Sequence, residues 1–332
     1  MSNVLWWAPV NDGSSYYRMT LPAMAVQWQG HECRVTTRIS AEDLNSADVL
    51  VVGRPARGQA HDVMTAFTRS GRPVIADIDD DYWHIDESNE RAFRFWNDDL
   101  KAGLTHGLSL ADKVTCASER LAEIAGHFSN STYIPNGLHA QWLGIPRDYN
   151  PDVLTLGWAG TDNTLAWIGE IIEPVNDFLR KNPKSRFVAI GPPVQALAKA
   201  GFDMSTGRVG STGYIDDHDE YLKAMFGFDV LLAPYRSTAF TEAKFATKGL
   251  EAGFLGIPLA ASAIEPYANW LGTEGEHGLR VSQPYQWNKA LKVMKDPAVR
   301  QVMGENARSH ASHYIMQSLG LKWTELIEGL LK

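Results

Sequence analysis

Three charged residues in the run TEAKFATKGLEAGFLGIP, positions 241–258, have the types and spacing to hold a phosphorylated ligand. Lys244, Lys248 and Glu251 stand at i, i+4 and i+7. On one helix, at 100° per residue, they would share about 60° of arc. Two lysines on one stripe repel each other by about 0.3 kcal/mol, and an anion bound between them reverses that sign. A carboxylate one turn further on can accept hydrogen bonds from a ribose diol. The trio therefore suits a nucleoside diphosphate, with lysines on phosphate and carboxylate on ribose. The spacing alone fits an exposed helix with a Lys248–Glu251 ion pair equally well.

Other segments carry weaker signals. In LTLGWAGTDNTLAW, positions 154–167, a strand runs into Gly-Trp-Ala-Gly, and a helix is predicted from Thr164. Gly160 would let backbone approach a phosphate, the helix N-terminus would offer amides and partial positive charge, and Thr161 or Asn163 could cap it. The bland reading is an ordinary strand–turn–helix corner. A strand predicted over 209–214 brings Tyr214 and Ile215 to its end, where a tyrosine could stack on a base or fill the core; the stretch 189–192 is expected beside it.

In NDGSSYYR, positions 11–18, Asp-Gly-Ser-Ser marks a tight turn after the first strand. Gly13, Ser14 and Arg18 are candidates to touch a ligand, although Arg18 could equally be a surface residue. Arg54, in VVGRP, ends another strand. The acidic run DIDDDYW, positions 77–83, admits a hard-metal site, a general base, or a capped solvated loop. Asp79 and Asp80 are the catalytic candidates. Tyr82, Trp83, Phe93, Phe95 and Trp96 crowd nearby; such rings stack on sugars but more often fill cores.

The elements that must position these residues alternate between short apolar runs and helical patterns. Strands are predicted at 4–9, 32–36, 49–52, 73–77, 113–116 and 132–135, then at 154–158, 186–190, 209–214, 230–233 and 258–261. Helices fall between them, at 17–29, 61–70, 93–105 and 119–125, then at 164–181, 218–225, 245–254 and 284–294. Such alternation predicts parallel sheets wrapped by helices. The Pro- and Gly-bearing stretch 136–151 reads as a hinge. The domains are therefore expected at 1–140 and 151–308, with 309–332 a helix returning to the first. Two such domains facing a cleft would bind ligands at the carboxyl ends of their strands.

Composition narrows the function classes. The chain has 332 residues, 44% hydrophobic and 21% charged, as in ordinary soluble domains. Its formal charge of −8 divides into −6 over residues 1–150 and −2 over the remainder. Clustered cations for nucleic acid are missing from that balance, and an anionic membrane surface is disfavoured. Two cysteines form no disulfide framework or zinc site, ten histidines lack zinc spacing, and no apolar run would span a bilayer. A signal sequence is not evident, so a cytoplasmic protein is expected. His106 and His127 are isolated and read as structural. No P-loop, dinucleotide fingerprint or nucleophile elbow is present.

KGLEAGFLGIPLAAS resembles the nucleotide-sugar segment of retaining GT-B glycosyltransferases, and the chain looks like the family-four and family-one-like sugar transferases of phages and bacteria. Glu251 matches the family's ribose-binding glutamate, and Gly256, Ile257 and Pro258 match the turn after it. GWAG resembles the loop that opens the second domain. Where the family motif has a first glutamate, this chain has Ala243, with Glu242 one place early; the family's basic residue after the GWAG-like loop is missing, and Lys244 and Lys248 stand in. The stretch 71–83 resembles the same subgroup, which ranks metal last among the uses of its carboxylates.

The resemblance implies an α/β GT-B fold of two Rossmann-like domains. It also implies hexosyl transfer with retention from a nucleotide sugar, a UDP-hexose ahead of a GDP-sugar, without a metal or other cofactor. The acceptor, whether protein, glycan, lipid or modified DNA base, is unread. A phage protein in a host cytoplasm fits the subgroup. A nucleotide-sugar epimerase and a non-catalytic sugar-nucleotide or glycan-binding protein are the alternatives.

Overall fold

Unbroken apolar runs such as VLVVG, at 49–53, require cover on both faces, as strands of parallel sheets receive. The computed structural model describes residues 1–332 except Asn11, Glu274 and the side chains of Asp162 and Asn163. It resolves into two compact units. Unit 1 comprises Met1–Ala140, Glu242–Phe245 and Tyr314–Lys332; unit 2 comprises Gln141–Thr241 and Ala246–His313.

Unit 1 contains β1 (Asn3–Trp7), β2 (Glu32–Thr36), β3 (Val49–Gly53), β4 (Val74–Ile78), β5 (Lys113–Cys116) and β6 (Ser131–Tyr133). They form one parallel sheet in the order β2-β1-β3-β4-β5-β6. Strand order reverses beside β1, so the crevice at the carboxyl ends of β1 and β3 is this sheet's switch point. The helix expected over 17–29 is interrupted. Gly13–Ser15 forms one turn capped by Asp12, Tyr16–Thr20 is a π-turn, and α-helix resumes at Leu21–Trp28. The change falls at Pro22, which has no N–H for the ladder. The helix Met316–Leu330 packs along Leu21–Trp28, where a Cβ on Gly320 would come within 2.6 Å of Ala25. Trp323 meets Trp6 edge-on at 5.1 Å, both fully buried.

Unit 2 contains β7 (Leu154–Ala159), β8 (Ser185–Ile190), β9 (Val209–Ser211), β10 (Val230–Ala233), β11 (Leu259–Ser262) and β12 (Gly278–Val281). They form a parallel sheet in the order β12-β11-β10-β7-β8-β9, which puts the switch point between β7 and β10. Two expectations are corrected here. β9 ends at Ser211, short of Tyr214, because Gly213 at φ +73° turns the chain away. The helix expected over 164–181 is a four-residue turn, Asp162–Leu165, followed separately by Gly169–Lys181. The half-exposed edge strand β12 and the helix Pro297–Ala311 are additional elements. Among the described residues no helix is long and apolar enough to cross a membrane.

Candidate functional site

In unit 1 a small recess opens at the switch point, lined by Ser14, Ser15, Arg18, Gly53, Arg54 and Asp79 among others. Its floor is a buried ion pair. Arg18 is 2% exposed; its Nη2 lies 2.7 Å from Asp77 Oδ2 and its Nη1 donates to the Ile134 carbonyl and Asn136. Thr115 Oγ1 adds a bond of 2.6 Å to Asp77. Arg18 is therefore not a surface residue; it lines the recess with its guanidinium already held by Asp77. Buried pairs of this kind lock local geometry because removing one member strands the other's charge. Gly13 is exposed and opens the one-turn helix, with Ser14 half-buried beside it.

Arg54 forms the wall. Its φ of +50° makes it the one non-glycine in the left-handed region among the described residues, at a cost of about 1 kcal/mol. Its N–H donates to the Asp77 carbonyl at 2.8 Å, and its guanidinium makes a bidentate pair with Asp12 at 2.9 and 3.0 Å.

The acidic run divides according to backbone direction. Asp77 points into the floor, and Asp81, fully buried, pairs with His84 Nδ1 at 2.8 Å. Asp79 and Asp80 remain half-buried. Asp79 accepts 2.6 Å from the Tyr82 hydroxyl. Burial works against its charge, but Arg54, with Ser14, Tyr82 and Lys244, brings its carboxyl below the usual range. Asp80 is pushed up to about 6 by burial and by Asp79, against the pull of Lys244. Two adjacent carboxyls held at different protonation midpoints are what acid–base chemistry near neutrality uses. Among the described residues no group of three or more His, Cys, Asp or Glu could hold a metal.

Lys244 is not on the helix with Lys248 and Glu251, contrary to the spacing argument. That helix starts at Thr247, and Lys244 lies in the segment Glu242–Phe245 of unit 1. The Ser118 hydroxyl takes the Ala243 carbonyl at 2.5 Å, which draws this backbone out of any helical ladder. Lys244 Nζ donates to both Asp80 oxygens at 2.6 and 2.7 Å.

Unit 2 gathers a second cluster on the helix Thr247–Leu255, which begins at the carboxyl end of its sheet because it leads from β10 back to β11. Lys248 Nζ donates to Glu251 Oε2 at 2.8 Å and to the Tyr221 hydroxyl at 2.5 Å, and Tyr221 donates to the same Glu251 oxygen at 2.9 Å. Glu251 is 1% exposed, not on an open surface. Its neighbour His218 is held neutral, pushed down to about 4 by burial, with Glu251 opposing and Lys248 adding to the shift. No motif or spacing points to Tyr221 or His218; both come from the helix His218–Phe226, distant along the chain.

Gly160 is in the loop after β7, and its N–H bonds the Ile190 carbonyl at 3.0 Å. A Cβ here would strike Thr164 Oγ1 and the Trp158 ring, so packing within the loop itself requires glycine. Thr161 takes the N-cap position, while Asn163, the other cap candidate, has a side chain outside the described residues. Tyr214 is 62% exposed, with Ile215 half-buried beyond it, so Tyr214 is not a core residue. In unit 1, Phe93 and Phe95 are likewise exposed, at 38% and 53%, while Tyr82 stacks on Trp96 at 4.0 Å.

No family model and no curated protein matches this sequence. Solved structures do match the fold over almost the whole chain. HepE of Anabaena, crystallised with UDP and glucose, superposes with a TM-score of 0.68 at 13% identity, over 99% of this chain and 100% of that one. Sucrose-phosphate synthase of Thermosynechococcus elongatus gives 0.70 at 15%, over 100% and 99%. WaaG, a glycosyltransferase involved in lipopolysaccharide biosynthesis, gives 0.65 at 17%, over 98% and 100%. The fold is GT-B, as the resemblance in the sequence implies.

Proposed function

We propose that this chain is a glycosyltransferase that moves a hexose from a nucleoside diphosphate to an acceptor hydroxyl. The observation that carries this reading is the Lys248–Glu251–Tyr221 cluster, a buried carboxylate and an ammonium in the first two turns of a helix at the carboxyl end of the unit 2 sheet. Glu251 is assigned the ribose diol and Lys248 the diphosphate, whose charge grows as the sugar departs and is stabilised by a fixed cation. Tyr214 and Ile215 are assigned the base, and Gly160 and Thr161 the phosphate side of the same donor. HepE has been crystallised with UDP and with UDP-glucose, which supports a uridine diphosphate hexose as donor.

Unit 1 is assigned the acceptor. Asp80 takes the acceptor's proton and Asp79 sits beside it as the fixed carboxylate. Ser14 and Arg54 edge that recess, Arg18 supports it from below, and Gly13 is assigned to the same side from the turn before Ser14. Lys244, which the spacing linked to the diphosphate, is occupied by Asp80 and is assigned to the charge balance of the carboxylate pair.

The test is a thermal-shift panel of nucleoside diphosphates and their sugars on wild type, Lys248→Ala and Glu251→Gln, followed by donor turnover. A uridine nucleotide that stabilises only the wild type supports the donor site. No stabilisation by any nucleotide would remove it. Binding without turnover would favour a sugar-nucleotide-binding protein.

A further inference from the structure

The backbone around Arg54 is held from several directions. The helix Asp98–Ser109 presents Gly103 and Gly107 to the turn after β3, and a Cβ on either would overlap the carbonyl oxygen of Ala56 or Pro55. His61 Nε2 lies 3.0 Å from the Pro55 carbonyl and 2.9 Å from that of Gly103; with acceptors on both sides, this nitrogen carries the proton. The Ala56 N–H closes back on the Arg54 carbonyl at 2.8 Å. A costly left-handed arginine kept in place by two glycines, a histidine and a tight turn points to a role for its side chain, because strain persists only where surroundings over-determine it.

That side chain lines the recess with Asp79 and is fixed by Asp12 on its far side. We propose that Arg54 is a positioning residue for the carboxylate pair: it holds Asp79 as the charged, Tyr82-bonded member and so leaves Asp80 as the proton acceptor. This rests on the reading in which the pair serves the acceptor hydroxyl. The charged and titratable groups facing the pair are Arg54 from the loop after β3, Lys244 from Glu242–Phe245, and Tyr82 beyond β4, with Asp12 from the loop after β1 behind Arg54. Asp77 and Arg18 neutralise each other beneath it. Of the two cations beside the pair, Lys244 bonds Asp80 directly, whereas Arg54 lines the same recess as Asp79.

The experiment follows the carboxyl titrations by carbon-13 NMR of the full-length chain labelled in aspartate, assigned with Asp79→Asn and Asp80→Asn, and compares wild type, Arg54→Gly and Arg54→Lys. Glycine adopts the left-handed turn freely, so Arg54→Gly removes the charge without backbone strain. The Asp79 midpoint is expected to rise by about one pH unit in Arg54→Gly, shifting the titration of Asp80 beside it, with at least partial return in Arg54→Lys. The acid limb of the pH–rate profile moves with it, and kcat falls about tenfold or more while donor KM stays within about twofold. Titrations and pH profiles that superimpose on wild type, with only the melting temperature changed, would make Arg54 a structural brace and overturn the proposal. A wild type that turns over no nucleotide sugar would instead remove the transferase reading, and the titration still decides whether Arg54 governs the pair.

Discussion

The ammonium of Lys244 sits between the two oxygens of Asp80, 2.6 and 2.7 Å away, so the first cation of the Lys–Lys–Glu spacing answers to a carboxylate 164 residues before it. Lys244 and Asp80 are 17% and 23% exposed at their side chains, which gives this pair more weight than a surface ion pair.

Removing that cation has a definite sign. Lys244 pulls the Asp80 midpoint down from where burial would put it, and the result is about 6. Lys244→Met is therefore expected to raise the midpoint, and a base that must be deprotonated then loses activity at a higher pH than wild type. Transfer rates measured from pH 5 to 8 check this; an acid limb that stays in place would detach Asp80 from the chemistry.

Lys248 and Glu251 are expected to separate binding from folding. Lys248→Ala should weaken nucleotide binding by about 1.5–3 kcal/mol, the range for a hydrogen bond to a charged group. Glu251→Ala should also cost about 1–3 kcal/mol of stability, because Lys248 and Tyr221 lose a buried acceptor. Isothermal titration and urea unfolding measure the two effects. Unchanged nucleotide affinity in both variants would reduce the cluster to an internal brace.

His218 makes unit 2 sensitive to acid. Its folded midpoint, about 4, lies below the ordinary 6.5, so the unfolded chain binds the proton more readily. The stability this provides is present above 6.5 and is lost as pH falls toward 4. A wild-type melting temperature that drops more steeply over that window than in His218→Asn is expected. Parallel curves would sink the assignment.

Trp323 ties the end of the chain to the first sheet. Trp323→Ala opens a cavity against Trp6 and is expected to cost about 3–5 kcal/mol in chemical denaturation. Nucleotide affinity should stay at its wild-type value, since the donor residues belong to unit 2. A loss of affinity in a folded variant would contradict that division.

What local chemistry sets could be read from residue order alone. Turn-bounded runs marked eleven of the twelve strands, most plainly the inner ones such as β3 and β4, since a buried parallel strand must be apolar on both faces. The exception, β12, is a four-residue edge strand. The Lys248–Glu251 spacing was legible because a helix turns the same way wherever it lies. Tertiary structure decided the rest. Lys244 left the helical stripe because a serine from a distant strand end captured the carbonyl beside it. Tyr221 joined Glu251 across 30 residues, and Asp77, Asp79, Asp80 and Asp81 took separate partners although they are neighbours in sequence. Hydrogen bonds between residues far apart in the chain leave no periodicity to read; packing alone selects which carboxylate is buried in an ion pair and which is left to titrate.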